Sequence, residues 1–280
     1  MGEKLTHNCY GKSDVRVTKV IRQRTRHELI EMSVYVELRG DFKASYLRGD
    51  NRKVVATDSM KNTVYVFAKR DPVKSIESFG LALADHFKQT YPQVTCASVR
   101  VHQSSWKRIN VRGKPHPVAF ISGGTELRTC TAVCDERQSV AGGLCDLLVL
   151  KTTDSGFRDF VRDEFTTLPD TDDRIFATKI DAWWFYGQAK VDFNAAHRTI
   201  REALLETFAT HKSDSVQQTL YAMGQAALRR CKAISDISIT LPNKHRLLVN
   251  LQPFGLENKN EIFVWTDEPY GSIFGHVKRS

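Results

Sequence analysis

Apolar residues recur at period two in some stretches of this chain and at helical spacing in others, and the order of the two patterns repeats. Alternation of Val15, Val17 and Ile21 predicts a strand over Asp14–Thr25, and Met32, Val34, Val36 and Leu38 predict a second. Thr57-Asp58-Ser59 begins an expected helix that runs through about Lys69. Asp71-Pro72 reads as the start of another, with Val73, Ile76, Phe79, Leu83 and Phe87 on one face. Strands follow around Val94–His102 and Pro117–Ser122. The order is β-β-α-α-β-β.

The second half reads the same way. Strands are expected at Leu144–Lys151 and Ile175–Phe185, then a helix carrying Phe193, Ala196, Ile200, Leu204 and Phe208. Ser213-Asp214 caps a further helix bearing Val216, Leu220, Met223 and Ala227. Ile237, Ile239 and Leu241 alternate, and Arg246 to Leu251 reads as the last strand. The fold class is α+β, a duplicated unit with antiparallel sheets. Gly142-Gly143 is the best candidate for the junction. Four strands backed by two helices leave one sheet face poorly covered, so oligomerisation is expected.

Composition narrows the class. The 280 residues carry 41 basic and 32 acidic side chains, a net charge of +9, and 41% are hydrophobic. Disordered, collagen-like and disulfide-scaffold readings fall away. No apolar run approaches the ~18–20 residues that span a bilayer, so no membrane role is expected. The N-terminus lacks the apolar core of a signal peptide. Six scattered cysteines, with Cys130 and Cys134 lacking a nearby histidine pair, read as reduced thiols in a cytoplasm and not as a zinc pattern. The basic residues are interspersed with acids, as in Arg16, Lys19, Arg22, Arg24 and Arg26 beside Asp14, Glu28 and Glu31. A small anionic substrate fits that charge as well as a polymer does, and the clustered basic stripe expected of a nucleic-acid module is not seen.

Common catalytic signatures for nucleotides, zinc or a serine nucleophile are missing. The connection from Lys151 to Ile175 is long enough to be functional. Within it Phe157 offers a flat face to a planar ligand and Arg174 a fork of donors to an anion; a core plug and a surface ion-pair residue are the plainer readings. Gln217, three residues after Asp214, has capping-box spacing. Thr57 and Asp58 read first as a helix cap. Pro242-Asn243-Lys244-His245 reads as a hairpin connection, although extended backbone would put the Asn243 amide and the His245 imidazole on one side. Lys12, after Tyr10-Gly11, is by itself an ordinary surface lysine.

Together these segments resemble the urate oxidase (uricase) family, from about Tyr10 to about His276. The run from Leu147 to Arg174 is similar to the family signature, with Lys151, Ser155, Phe157, Phe160, Phe165, Leu168 and Arg174 in register. Val54-Val55-Ala56-Thr57-Asp58, Asn62-Thr63-Val64-Tyr65 and Leu241-Pro242-Asn243-Lys244-His245 look like further family motifs. The likeness is to bacterial members, in keeping with a C-terminus, His276-Val277-Lys278-Arg279-Ser280, that is not the peroxisomal Ser-Lys-Leu. Asp172 departs from the aromatic of fungal relatives, which is expected to alter the pocket rim and not the reaction.

The resemblance implies two tandem tunnelling-fold (T-fold) domains, at 10–142 and 143–276, in a homotetramer with sites where subunits meet. It implies oxidation of urate by O2 and water to 5-hydroxyisourate and hydrogen peroxide, with no cofactor and no metal. By matching motif, Arg174 and Gln217 would grip the urate edge, Phe157 would stack on its plane, Leu168 would wall the pocket and Val216 would present its backbone N–H. Asn243, with Thr57, would hold oxygen and later water. Lys12, Thr57 and His245 would form a proton relay, with Lys12, Thr57 and Asp58 arriving from the neighbouring subunit and Thr57 and Asp58 also binding the substrate. Rival readings are a tunnelling-fold pterin enzyme, which would call for zinc or a glutamate anchor, and a basic nucleic-acid module.

Overall fold

In β2 (His27–Gly40) Met32, Val34, Val36 and Leu38 are buried while the residues between them are not, the period-two pattern of a strand with one covered face. The computed structural model describes residues 3–187 and 190–279, in two units, Met1–Gly143 and Leu144–Ser280. The division falls inside a strand, β5 (Gln138–Lys151), so Gly142-Gly143 is strand and not linker.

In the first unit β1 (Tyr10–Arg22) pairs antiparallel with β2. Then come α1 (Lys43–Arg48), a short helix with no clear sequence signal, α2 (Thr57–Arg70), α3 (Ile76–Thr90), β3 (Val94–Val111) and β4 (Lys114–Cys134). The sheet order is β1-β2-β3-β4. Ile76, Phe79, Leu83 and Phe87 of α3 are fully buried in the core with the inward residues of the strands, each contributing about 1.5–3 kcal/mol. The helix does not start at Asp71-Pro72. Val73 is left-handed at φ 53°, the Asp71 carboxylate accepts its N–H, and Ser75 is the cap, accepting the Ser78 N–H at 3.1 Å.

β3 and β4 are longer than their apolar alternation indicates. Pairing of β2 with β3 stops at Met32 and Gln103, but β3 and β4 stay paired to Val111 and Lys114. Residues 107–116 are therefore a hairpin tip, turned through Arg112 and Gly113 with φ 51° and 78°. Neither face of that ribbon belongs to the buried core, so no period-two pattern marks it.

The second unit repeats the plan with β5, β6 (Phe176–Tyr186), α4 (Phe193–Thr210), α5 (Val216–Arg230) and β7 (Ile234–Pro242). Its fourth strand is not Arg246–Leu251. β8 (His245–Leu248) pairs with β9 (Phe263–Thr266) as a separate ribbon, and β10 (Ser272–Lys278) pairs with β7 to give the order β5-β6-β7-β10. Packing decides this: Leu247 and Leu248 are exposed, whereas Ile273 and Val277 pack on the core. A Cβ at Gly224 of α5 would sit 2.7 Å from Val277, so the glycine lets the helix lie close on β10.

In the second unit Trp184 is fully buried while Trp183 and Phe185 beside it are exposed. Trp183 stacks on Phe274 at 5.8 Å, and Leu148 and Leu150 are exposed too. Among the described residues no helix covers this apolar sheet face.

Candidate functional site

Two groups of chemistry-bearing side chains stand out, one in each unit. The first is built by a defect in β1. Lys12 pairs with Val36 but Val15 with Val34, so one extra residue bulges out, with Asp14 at φ 55°. The bulge reverses the alternation: Tyr10 and Lys12 fall on the side that Val15 and Val17 occupy further on, and are half-buried there. A Cβ at Gly11 would lie 1.8 Å from the Val36 carbonyl oxygen, so only glycine fits. The Tyr10 hydroxyl accepts the Val55 N–H at 2.7 Å and donates to the Val55 carbonyl at 3.1 Å. Its ring meets buried Phe42 edge-on at 4.8 Å.

Two residues after Val55, α2 begins. Its N-cap is Ala56, with no side-chain cap bond, so the expected capping role of Thr57 and Asp58 is not what the structure shows. Alanine offers no acceptor, and Thr57 already sits in the first turn. Asp58 instead binds Lys61 and, at 2.9 Å, the Asn62 amide. The Lys61 ammonium beside it holds the carboxyl below the usual carboxylate range, and the positive charge of Lys12 acts in the same direction. Lys12, Thr57 and Asp58 thus belong to one neighbourhood.

In the second unit the segment after β5 is tied back to the start of α5. Ser213 donates to the Asp154 carbonyl at 2.9 Å and accepts the Gly156 N–H at 2.8 Å. Phe157 and Thr171 exchange backbone bonds at 2.8 and 3.0 Å, and Thr153 and Ser155 bind the Asp173 carboxylate at 2.7 and 3.3 Å. Arg174 follows at once, its guanidinium carbon 5.4 Å from the centroid of the Phe157 ring. Phe160 stacks on Phe157 at 4.8 Å. Phe157 is therefore not a core plug.

Arg174 is half-buried, and burial alone pushes its pKa down, yet a guanidinium stays charged. Among the described residues neither a carboxylate nor a carbonyl pairs with that guanidinium, so the surface ion-pair reading fails. Leu168 lies in the same loop, exposed, and exposed Asp172 pairs with Arg158 at 2.7 Å.

Gln217 is free of capping. Ser215 is the N-cap, accepting the Gln218 N–H at 3.1 Å, and Gln218 reaches back to the Asp214 N–H at 2.9 Å. The capping pair sits one residue later than the sequence spacing indicates, because Ser215 has the extended backbone a cap needs. Gln217 is exposed beside Val216, whose N–H is one of the first-turn donors that bonding within a helix leaves over. Replacing Ser215 by alanine is expected to cost about 1 kcal/mol of stability, read as a lower denaturant midpoint.

The same position in the first unit is closed. Ser75 caps α3 as Ser215 caps α5, and the residue matching Gln217 is Glu77, buried and paired with Arg128 at 2.7 Å. The duplication extends to Lys19, which donates to the Ala68 carbonyl at 2.7 Å, and Lys151, which donates to that of His211 at 2.6 Å. Each lysine tethers its strand to the end of the following helix.

Pro242-Asn243-Lys244-His245 is not a hairpin turn. Asn243 donates to the Gly271 carbonyl at 2.8 Å, Lys244 to the Ala177 carbonyl at 2.9 Å, and Thr178 Oγ1 to the Pro242 carbonyl at 2.8 Å. These bonds fix Asn243 beside the strand that Arg174 leads into. His245 begins β8, opposite Thr266. Among the described residues no group of three or more His, Cys, Asp or Glu side chains could hold a metal ion. Tyr10 carries no sequence signal for its part, since its bond partner is 45 residues away.

Comparison with known proteins agrees with the resemblance. The family model described as Uricase matches residues 8–133 and 140–274. The chain is 44% identical over 276 residues to the uricase of Arthrobacter globiformis, covering 98% of this chain and 90% of that protein. It is 38% identical over 277 residues to the uricase of Danio rerio, covering 96% and 93%. The crystal structure of the Arthrobacter globiformis uricase superposes with a TM-score of 0.94 at 43% identity, covering 100% of this chain and 96% of that one.

Proposed function

The chain belongs to the uricase family, with the family's urate oxidase activity and tunnelling-fold architecture, and from that premise we propose how its two half-sites carry out the reaction. The first unit of one copy supplies Lys12, Thr57 and Asp58. The second unit of another supplies Phe157, Leu168, Arg174, Val216, Gln217, Asn243 and His245. The assembly is a homotetramer, as the exposed apolar sheet face favours. No helix among the described residues is long and apolar enough to cross a membrane, and we place the enzyme in the cytoplasm.

The observation that carries this reading is Arg174: a charged fork, stacked on Phe157, without an acceptor among the described residues. Urate is a planar anion. Arg174 donates to one edge, and the Gln217 amide, a donor and an acceptor at once, meets the opposite edge. Phe157 stacks on the ring, Leu168 walls it and the Val216 N–H adds a donor.

Dioxygen accepts electrons one at a time, so the substrate must be made electron-rich. Lys12, through the Thr57 hydroxyl and with His245, takes a proton from urate to leave a dianion. The Arg174 charge stabilises that dianion in a site sheltered from water. Two electrons pass to O2, which leaves as hydrogen peroxide after taking up two protons. Water, held with O2 in turn by Asn243 and Thr57, adds to the oxidised ring to give 5-hydroxyisourate. The dianion is itself the reductant, so the reading needs no bound cofactor; chelator-treated enzyme is expected to yield one peroxide per urate lost.

Sharing of sites is tested by mixing two variants of low kcat/KM, Lys12→Met and Arg174→Gln, by co-refolding and assaying at urate well below the wild-type KM. If each site takes Lys12 from one copy and Arg174 from another, random pairing leaves about one quarter of the sites intact, with that fraction of wild-type activity. Activity no greater than the sum of the two variants means that each copy builds its own site.

A further inference from the structure

We propose that Tyr10 is a positioning residue for the proton relay, a phenol clamp that fixes the spacing between Lys12 and Thr57. The proposal rests on the reading of Lys12 and Thr57 as relay partners. Tyr10 and Lys12 are two residues apart and lie on the same side of β1. Val55 and Thr57 are two apart in the segment that leads into α2. One phenolic oxygen joins the two segments, accepting the Val55 N–H at 2.7 Å and donating to the Val55 carbonyl at 3.1 Å. Both partners of one backbone residue are therefore satisfied by a single side chain from 45 residues away.

The clamp is itself held on three sides. The Tyr10 ring meets Phe42 edge-on, and Phe42 is fully buried. Gly11 brings β1 so close to β2 that a methyl group would clash with the Val36 carbonyl oxygen. Just before Tyr10, the Cys9 carbonyl accepts the Tyr46 hydroxyl of α1 at 3.0 Å. Unbroken pairing from Tyr10 to Lys12 keeps the lysine on the same side as the phenol, and the register shifts only after it. A hydroxyl that needed only satisfaction would require one bond; two to the same residue fix direction as well as distance.

Proton transfer is sensitive to such geometry, and a misplacement of about 1 Å costs on the order of 100-fold in rate. Tyr10→Phe keeps the ring on Phe42 and removes both bonds. The expected result is a fall in kcat of about tenfold with KM for urate changed less than twofold, because the groups that grip urate lie in the second unit. A merely structural phenol would lower the unfolding temperature and leave kcat per folded site unchanged.

The double variant Tyr10→Phe/Lys12→Met completes a cycle measured on folded tetramer. If the clamp acts through Lys12, Tyr10→Phe has no further effect on kcat once the lysine is gone. Full additivity, or a Tyr10→Phe enzyme with wild-type kcat, overturns the clamp and leaves the relay standing. Wild-type turnover in Lys12→Met alone overturns the relay instead.

Discussion

Lys12→Met is expected to lower kcat for urate about 1,000-fold, within the range that a positioned acid or base contributes, while KM changes less than threefold. Methionine matches the length and apolar stem of lysine and cannot accept a proton. The Tyr10 bonds, the Gly11 contact and the bulge involve none of the atoms removed, so the local backbone is expected to persist. Lys12 adds to the charge that keeps the Asp58 carboxyl below its usual range, but Lys61 is the larger influence and stays in place. The change is therefore confined to proton movement. Steady-state turnover, urate affinity measured without oxygen, and the unfolding temperature separate the outcomes. Retained turnover with intact binding would sink Lys12 as the base, and lost binding would move it from the relay to the substrate cradle.

The two units were legible in the sequence because their cores obey simple periods. Val34, Val36 and Leu38 at period two, and Phe79, Leu83 and Phe87 at helical spacing, are all buried where the pattern puts them. Exposed elements were not. The tip around Arg112-Gly113 has no covered face, and Ser272–Lys278 alternates through a glycine, so it carries only two inward apolar side chains. Helix starts failed for a different reason. Pro72 and Asp214 are ordinary start signals, but Val73 and Ser215 show that backbone conformation, not residue type alone, selects the cap.

At the site the residue types were readable and their relations were not. That Gln217 is exposed follows from a cap displaced by one residue, and that Glu77 is closed follows from Arg128, 51 residues away. The duplication therefore does not produce two equal sites. An amide open to solvent at one helix start can receive a ligand edge, whereas a buried carboxylate already paired with a guanidinium is satisfied internally. In the proposed reaction this asymmetry goes with the ring-gripping groups lying in the second unit, while the first supplies Lys12 and Thr57 to a proton relay that His245 completes.

Arg174→Gln is expected to reduce kcat/KM for urate about 1,000-fold, near 4 kcal/mol, because a buried charge-assisted pair with the anion is lost together with its geometry. Most of the loss should appear in KM, with a further part in kcat, since the dianion carries more charge than the bound substrate and gains more from the guanidinium. Arg174→Lys keeps the charge but not the fork, so an intermediate loss of about 30-fold is expected. Stability should move the other way. Arg174 has burial working against its charge and lacks an acid partner among the described residues, so its removal breaks no ion pair; only the contact with the Phe157 ring, about 1 kcal/mol, is given up. An unfolding temperature equal to or above that of the wild type, alongside the lost affinity, is the signature of a residue held for its ligand. A strongly destabilised variant with unchanged urate affinity would instead return Arg174 to a structural role and remove the feature on which the ligand reading rests.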